Sequence, residues 1–265
     1  MLANYHTHTF RCLHAGSYQD EEYVLAALEN GYEILGFSDH TPWPYKTDYV
    51  SPRTRMPLSQ LPDYMQSIRA LREKYADRIQ ILMGLECEYF PDYIDWLRGI
   101  APQFDYLILG NHFHLTDEDG KPYYGRQADV QALSDYTEMV CRGMQTGLFC
   151  CLAHPELPFA AYPEFDEHAK AMCHTICREA KALELPLEFN LIGYRKRDTG
   201  KFTGLGYPYP GFWEIAAEYG CSVIIGVDAH VPERLYHSEW RAEAEALLSS
   251  LNLRVLETLP ITPRP

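Results

Sequence analysis

Residues 221–230 read CSVIIGVDAH, an apolar run that ends in an aspartate and a histidine. The run contains β-branched residues and no polar alternation, which predicts a strand buried on both faces, as in a parallel sheet. Similar runs occur at 33–40 (EILGFSDH), 79–89 (IQILMGLECEY), 105–112 (DYLILGNH), 148–155 (LFCCLAHP) and 185–190 (LPLEFN). With the N-terminal NYHTH, the sequence predicts seven buried parallel strands.

Amphipathic stretches separate these runs. They lie at 20–31, 61–75, 135–147, 165–185 and 211–220, and several close on glycine, a common helix stop. Alternation of strand and helix, with an irregular eighth strand as a further candidate at 253–259, predicts a closed α/β barrel forming a single domain over residues 1–265. The stretches 42–62 and 193–211 are predicted to be long loops that leave the second and sixth strands.

Composition limits the partners. The chain has 265 residues and a formal net charge of −14, which argues against nucleic acid and membrane surfaces as partners but permits a small phosphorylated substrate. There is no apolar run of about 18–20 residues and no leader pattern, so we expect a soluble, cytoplasmic protein. The eight cysteines are scattered and predict buried thiols rather than disulfides. The sequence carries no signal for oligomeric state.

Residues that can bind a metal end nearly every predicted strand. This is the edge on which α/β barrels build their sites. Two pairs are spaced i, i+2, so that alternate side chains of one strand would converge on one spot. With His14 from the first loop, the candidate ligands are His6, His8, His14, His40, Glu86, His112, His154, Asp228 and His230.

The chemistry of these ligands favours a catalytic site. Imidazole and carboxylate without thiolate suit Zn, Mn or Fe at an open site, whereas closed structural zinc sites usually recruit cysteines. Nine ligands are too many for one ion and suffice for three, each with a position left for water or substrate. His114 competes with His112 for the ligand position after the fourth strand.

Seven motifs follow one another over roughly residues 4–235: HTHTF, FSDHTPWP, GLECEYFP, DYLILGNHF, CLAHPEL, EFNLIGYR and FWEIAAEYGCSVIIGVDAH. In this order they resemble the motifs of the PHP (polymerase and histidinol phosphatase) superfamily. The likeness is to its stand-alone histidinol-phosphate phosphatases. It implies a distorted (β/α)7 barrel of the TIM-like PHP type with three divalent metal ions. By that resemblance, His6, His8, Glu86 and Asp228 hold the first ion, Glu86, His112 and His154 the second, and His14, His40 and His230 the third.

These assignments suggest a mechanism. A hydroxide bound between the first two ions would attack phosphorus in line, which gives Glu86 and Asp228 catalytic roles. Arg195 is the expected phosphate clamp, with Arg55, Arg126 and Arg197 as competitors. Glu88 is expected either to contact substrate, to support a ligand or to lie on the surface. Asp228 or a metal-bound water would protonate the leaving alcohol.

The resemblance implies hydrolysis of L-histidinol phosphate to L-histidinol and phosphate, a step of histidine biosynthesis. Three alternatives remain open at this point. The same centre could serve nucleotides or other small phosphate esters, it could belong to a single-strand exonuclease, or the barrel could bind metal without catalysis. The acidic composition counts against the nuclease, and the full ligand set counts against the non-catalytic barrel.

Overall fold

The computed structural model describes residues 2–118, 120, 122–236 and 239–261. Its strands are β1 (Ala3–Asn4), β2 (Ile34–Phe37), β3 (Gln80–Cys87), β4 (Tyr106–Leu109), β5 (Leu187–Asn190), β6 (Ser222–Gly226) and β7 (Arg254–Val255). Its helices are α1 (Asp20–Glu29), α2 (Leu61–Lys74), α3 (Ile94–Ile100), α4 (Val130–Gln145), α5 (Glu167–Ala182), α6 (Ile192–Asp198), α7 (Pro210–Tyr219) and α8 (Glu239–Ser250). Within the described ranges, no helix combines the length and the apolar character needed to cross a bilayer.

The strands form a distorted seven-stranded barrel, as predicted. All pairings are parallel, in the orders β1-β2-β3-β4 and β5-β6-β7. Leu152 bridges Leu109 on one side and Leu187 on the other, and so joins β4 to β5. A bridge between Thr7, just after β1, and Ala229, just after β6, closes the barrel. The seventh barrel strand is the single bridged residue Leu152, and β7 pairs with the outer start of β6.

Two predicted strands are shorter than expected because the backbone turns where they reach the site. The run 148–155 contributes a single bridged residue, and His154 has a φ of 30°. β6 ends at Gly226, and Asp228 has a φ of 53°, in the left-handed region that an L-residue seldom adopts. Asp228 and His230 therefore meet through a turn, and the expected alternation along one strand is wrong for this pair.

Two other expectations differ from the structure. The predicted loop 193–211 begins within α6, in which Arg195, Lys196 and Arg197 are good helix formers. α4 begins at Val130, five residues before the predicted start, because the Asp129 side chain caps it by accepting from the Ala132 N–H at 3.0 Å. The candidate eighth strand is present as β7, which pairs with the start of β6.

Apolar side chains fill the part of the barrel interior that precedes the candidate ligands along the strands. The Tyr106 ring lies against Gly36 and Gly84, where a Cβ would approach it within 3 Å, and its hydroxyl is 2.7 Å from the Tyr5 carbonyl oxygen. Along β3, Gly84 and Glu86 are two residues apart and share the inward face. The apolar packing inside the barrel therefore extends up to the carboxylate of Glu86, a candidate ligand.

Candidate metal centre and active site

The candidate ligands lie together at the carboxyl ends of the strands. Seven of the nine are buried, His230 is half-buried and His14 is exposed. The buried set comprises His6, His8, His40, Glu86, His112, His154 and Asp228. The structure thus gathers side chains from across the sequence at one end of the barrel.

Four atoms form a compact group at the centre. The His6 Nε2 atom lies 3.4 Å from Glu86 Oε2 and 3.6 Å from Asp228 Oδ1, and the His8 Nε2 atom lies 3.5 and 3.3 Å from the same two oxygens. Two ligands about 2.1 Å from one tetrahedral ion are about 3.4 Å apart. The four separations therefore match the edges of a metal coordination polyhedron better than they match hydrogen bonds.

Buried atoms without partners support this reading. Among the described residues, His6 Nε2, His8 Nε2 and Asp228 Oδ1 are buried and have no hydrogen-bond partner. Such atoms cost free energy unless something binds them. These three lie within 4.8 Å of one another, and nitrogen and oxygen donors of this kind suit a divalent ion. The residues present fit a metal ion.

The second oxygen of Glu86 faces another pair of imidazoles. Its Oε1 atom is 2.8 Å from His154 Nε2 and 3.4 Å from His112 Nε2. Glu86 therefore lies between two groups of donors, one at each oxygen. Gly110 makes this possible, because a Cβ at that position would stand 2.0 Å from Glu86 Oε1.

The third expected group lies at the mouth of the barrel. The Nε2 atoms of His14 and His230 are 2.8 Å apart, and the His14 and His40 rings are 5.4 Å apart. The Cys12 thiol is also here, within 4.8 Å of donor atoms of His40 and His230. In the sequence Cys12 and Cys87 lie close to candidate ligands, and the structure places the Cys12 thiol beside these imidazoles.

His112 is part of this centre, whereas His114 is not. The His114 Nδ1 atom lies 3.0 Å from the Tyr124 hydroxyl and 3.8 Å from Asp135, on the outer side of the loop. The structure therefore brings His112 to Glu86 and turns His114 away from it.

A carboxylate that the sequence analysis missed orients two of these histidines. Glu188 on β5 is buried, with its Oε1 2.8 Å from His6 Nδ1 and its Oε2 accepting from the His154 N–H at 3.1 Å. The Asn190 side chain donates to the same Oε2 at 2.9 Å. Gly226 leaves room for Glu188, because a Cβ there would lie 1.8 Å from Oε1. The available signal was a lone glutamate inside the apolar run LPLEFN.

A buried ion-pair network supports His112. Glu88 is fully buried and its Oε1 lies 3.0 Å from His112 Nδ1. Arg55 donates to both oxygens of Glu88, at 2.8 and 3.0 Å, and lies 3.2 Å from Asp117. Glu88 therefore contacts a candidate ligand and does not lie on the surface, and the pairing of its oxygens with His112 and Arg55 argues against a substrate contact. Arg55, at 1% exposure, is unavailable as a phosphate clamp.

The charges of this cluster stabilise one another. Burial alone would raise the pKa of Glu86, but the imidazoles of His40 and His6 hold it well below its ordinary value. Burial likewise lowers the pKa of His6, but the carboxylates of Glu188 and Asp228 outweigh burial and raise it well above its ordinary value. A cation binds anionic carboxylates and neutral imidazoles, so binding of a metal ion would release the proton that these carboxylates favour on His6.

A cavity of about 210 Å³ opens above the cluster. Its walls include Tyr123, Arg195, Lys196 and Tyr207, and its base includes Glu86 and Asp228. The Arg195 side chain is exposed and has no ion-pair partner among the described residues. Of the competing arginines, Arg197 is held by Glu243 at 2.5 and 3.0 Å and lies outside the cavity wall.

A further buried carboxylate, that of Glu156, lies near the centre without joining it. Glu156 is 1% exposed, and its Oε1 accepts from Trp213 Nε1 at 2.7 Å and from the Tyr209 N–H at 3.2 Å. Burial raises the pKa of Glu156 to about 7, although these hydrogen bonds oppose the rise.

Comparison with known proteins agrees with this architecture. The PHP domain model matches residues 4–187. A Deinococcus radiodurans protein named "Probable histidinol-phosphatase" is 31% identical over 237 residues, 87% of each chain, and the Bacillus subtilis histidinol-phosphatase is 30% identical over 118 residues, 42% of this chain and 44% of that one.

Solved structures show the same fold. The histidinol phosphate phosphatase of Lactococcus lactis, in complex with zinc, L-histidinol and phosphate, superposes with a TM-score of 0.70 at 20% identity, over 97% of this chain and 98% of that one. The family model covers more than half of the chain, and the Deinococcus relative is 31% identical over 87% of each chain. From the barrel, the ligand cluster and these matches together, it follows that the chain belongs to the PHP domain family.

Proposed function

We propose that this protein is a metal-dependent phosphatase that hydrolyses L-histidinol phosphate to L-histidinol and inorganic phosphate, EC 3.1.3.15. One observation carries the chemistry: four nitrogen and oxygen atoms separated by 3.3–3.6 Å lie at the base of an open cavity. Arg195, on the wall of that cavity, has no carboxylate partner in the part of the chain that the structure describes. The substrate comes from the relatives, which are named as histidinol-phosphatases.

We assign the metal ligands as the sequence suggested. His6, His8, Glu86 and Asp228 would hold one ion, and Glu86, His112 and His154 a second. His14, His40 and His230 would hold a third, with Zn, Mn or Fe as the candidate metals. Zinc is present in the Lactococcus relative. When bound, the ions supply Lewis acidity, which activates water and neutralises charge on phosphate oxygens.

The protein's own residues complete the site. Arg195 would pair two phosphate oxygens with its planar guanidinium, since it lines the cavity and has no competing carboxylate among the described residues. Glu188 would keep the His6 ring in place through its 2.8 Å hydrogen bond, and Glu88 would do the same for His112. These contacts fix the directions in which the ring nitrogens point.

The cavity and the charge favour a small substrate. A volume of about 210 Å³ lies below the range of about 300–1,000 Å³ usual for drug-sized ligands, as befits a small metabolite. A net charge of −14 would repel a nucleic-acid strand. The cytoplasmic location stays a prediction from the sequence.

The test is phosphate release by Mn- or Zn-loaded protein from L-histidinol phosphate, beside a panel of nucleotides and sugar phosphates. We expect kcat/KM for histidinol phosphate to exceed the panel at least about 100-fold, or about 2.7 kcal/mol of transition-state discrimination. Similar kcat/KM values for all esters, or the highest value for a nucleotide, would indicate a more general phosphoesterase and rule out histidinol phosphate as the specific substrate. Absence of turnover with every ester would indicate a barrel that binds metal without catalysis.

A further inference from the structure

Tyr207 and Lys196 meet on the wall of the cavity. The Lys196 ammonium nitrogen is 2.6 Å from the Tyr207 hydroxyl oxygen and 5.1 Å from the centre of its ring. Both residues line the cavity that has Glu86 and Asp228 at its base, and Tyr207 is otherwise buried, at 2% exposure. Tyr207 therefore forms part of the cavity wall and is otherwise enclosed by protein.

The direction of this hydrogen bond leaves a proton free. An ammonium group has three donors and no acceptor, so Lys196 donates and the phenol oxygen accepts. Within residues 2–118, 120, 122–236 and 239–261, no acceptor for the Tyr207 hydroxyl proton is found. The phenol can therefore donate to a molecule bound in the cavity.

The position of the ring is closely defined. The Tyr207 carbonyl oxygen packs so tightly against Gly193 that a Cβ there would lie 2.1 Å away. The Phe202 ring packs at 5.1 Å between centroids, and the His154 ring lies 6.4 Å away. A donor that is fixed before substrate arrives needs little reorganisation when the reaction occurs.

We propose that Tyr207 protonates the leaving alcohol oxygen of the substrate, and that Lys196 is a positioning residue that stabilises the phenolate left behind. This inference rests on the proposed function. The oxygen of a water molecule bonds to phosphorus and gives up a proton to the solvent, while the bond between phosphorus and the alcohol oxygen breaks. The electron pair of the broken bond stays on the alcohol oxygen, which takes the Tyr207 hydroxyl proton. The phenolate then pairs with the Lys196 ammonium and regains a proton from water after the alcohol leaves.

The chemistry of the leaving group favours such a donor. An alkoxide is about as basic as hydroxide, whose conjugate acid has a pKa of about 15.7, whereas an ordinary tyrosine has a pKa of about 10. Burial and the nearby carboxylates of Asp228 and Glu156 raise the pKa of Tyr207 well above that ordinary value. The Lys196 ammonium, at hydrogen-bond distance from the phenol oxygen, acts in the opposite direction because a neighbouring cation favours the phenolate. Tyr123 also lines the cavity, but of these two tyrosines Tyr207 has the cation within hydrogen-bond distance of its oxygen.

The experiment compares two esters in the metal-loaded enzyme. For Tyr207→Phe, we expect kcat to fall about 100- to 10,000-fold on the alkyl phosphate that the wild type hydrolyses best, the range typical of a lost general acid. On p-nitrophenyl phosphate, whose leaving group departs without a proton, the change should stay within about threefold. Tyr209→Phe, which removes a hydroxyl two residues away and outside the cavity wall, is the matched control and should keep wild-type values on both esters.

The role of Lys196 is tested in the same way. Lys196→Met should lower kcat on the alkyl ester more than on the aryl ester, and Lys196→Arg, which keeps a cation, should restore much of the loss. Metal content and melting temperature should match the wild type in all variants. If Tyr207→Phe lowered kcat equally on both esters, or on neither, the proposal would be overturned while the phosphatase function would stand. A wild type that hydrolyses no ester would overturn both.

Discussion

Replacement of Glu156 by glutamine should make the metal-free protein more stable at alkaline pH. The pKa of Glu156 rises from 4.5 to about 7 on folding, because the carboxyl group is buried. The native state thus binds the proton more tightly than the unfolded state, so stability is fully present below about pH 4.5 and is lost as the pH rises toward 7. At about 1.36 kcal/mol per pKa unit, the full loss is about 3 kcal/mol.

Glutamine removes this penalty and keeps the structure. Its amide oxygen can still accept from Trp213 Nε1 and from the Tyr209 N–H, at the positions 2.7 and 3.2 Å from the present oxygen. We expect the free energy of unfolding of Glu156→Gln, relative to wild type, to increase by about 2.5 kcal/mol between pH 5 and pH 8.

Urea denaturation in the presence of EDTA at several pH values measures this difference. Glu164→Gln, at an exposed carboxylate nearby, is the control and should leave the pH dependence unchanged. Parallel curves for wild type and Glu156→Gln would refute the reasoning, since Glu156 would then titrate alike in both states.

Three further predictions concern the centre itself. Glu86→Gln should remove two ions, measured by mass spectrometry of the folded variant, and lower kcat/KM at least about 1,000-fold, or about 4 kcal/mol, because an amide binds cations weakly; wild-type activity would rule out Glu86 as a shared ligand. Arg195→Ala should keep its metals and lower kcat/KM roughly 10- to 100-fold, as expected for hydrogen bonds worth about 1.5–3 kcal/mol, so that loss of metal would contradict the clamp. Gly110→Ala should reduce bound metal, because its Cβ would stand 2.0 Å from Glu86 Oε1, whereas Gly99→Ala, with nothing within 4 Å, should not.

The barrel was predictable because each strand is an apolar run that ends at a potential ligand. That regularity also located eight buried or half-buried members of the site, since parallel strands end at one edge. The sequence could not reveal which side chains contact these candidate ligands from the protein interior. Glu188 and Glu88 are single acids in or beside apolar runs, and only the fold shows that one meets His6 and the other Arg55.

Local backbone geometry accounts for two further differences between the predicted and observed structure, at Asp228 and in α6. The positive φ of Asp228 turns the chain out of β6, and no pattern of apolar residues predicts such a turn at an aspartate. The sequence of α6 predicts a loop because Gly193 and the charged residues after it have no helical apolar repeat. The close approach of Gly193 to the Tyr207 carbonyl gives that helix its place through tertiary contact.

The bridge between Thr7 and Ala229 has a consequence for when the site can form. His8 and Asp228 face each other across this seam but are 220 positions apart in the chain. By the logarithmic law for loops, bringing such distant segments together costs about 5 kcal/mol of chain entropy, and an ion shared by the two would act as a reversible crosslink that offsets it. During synthesis, the two histidines near the N-terminus emerge from the ribosome long before the aspartate that completes their group. An ion held by both His8 and Asp228 could therefore bind only after residue 228 has been made and has reached the first strand.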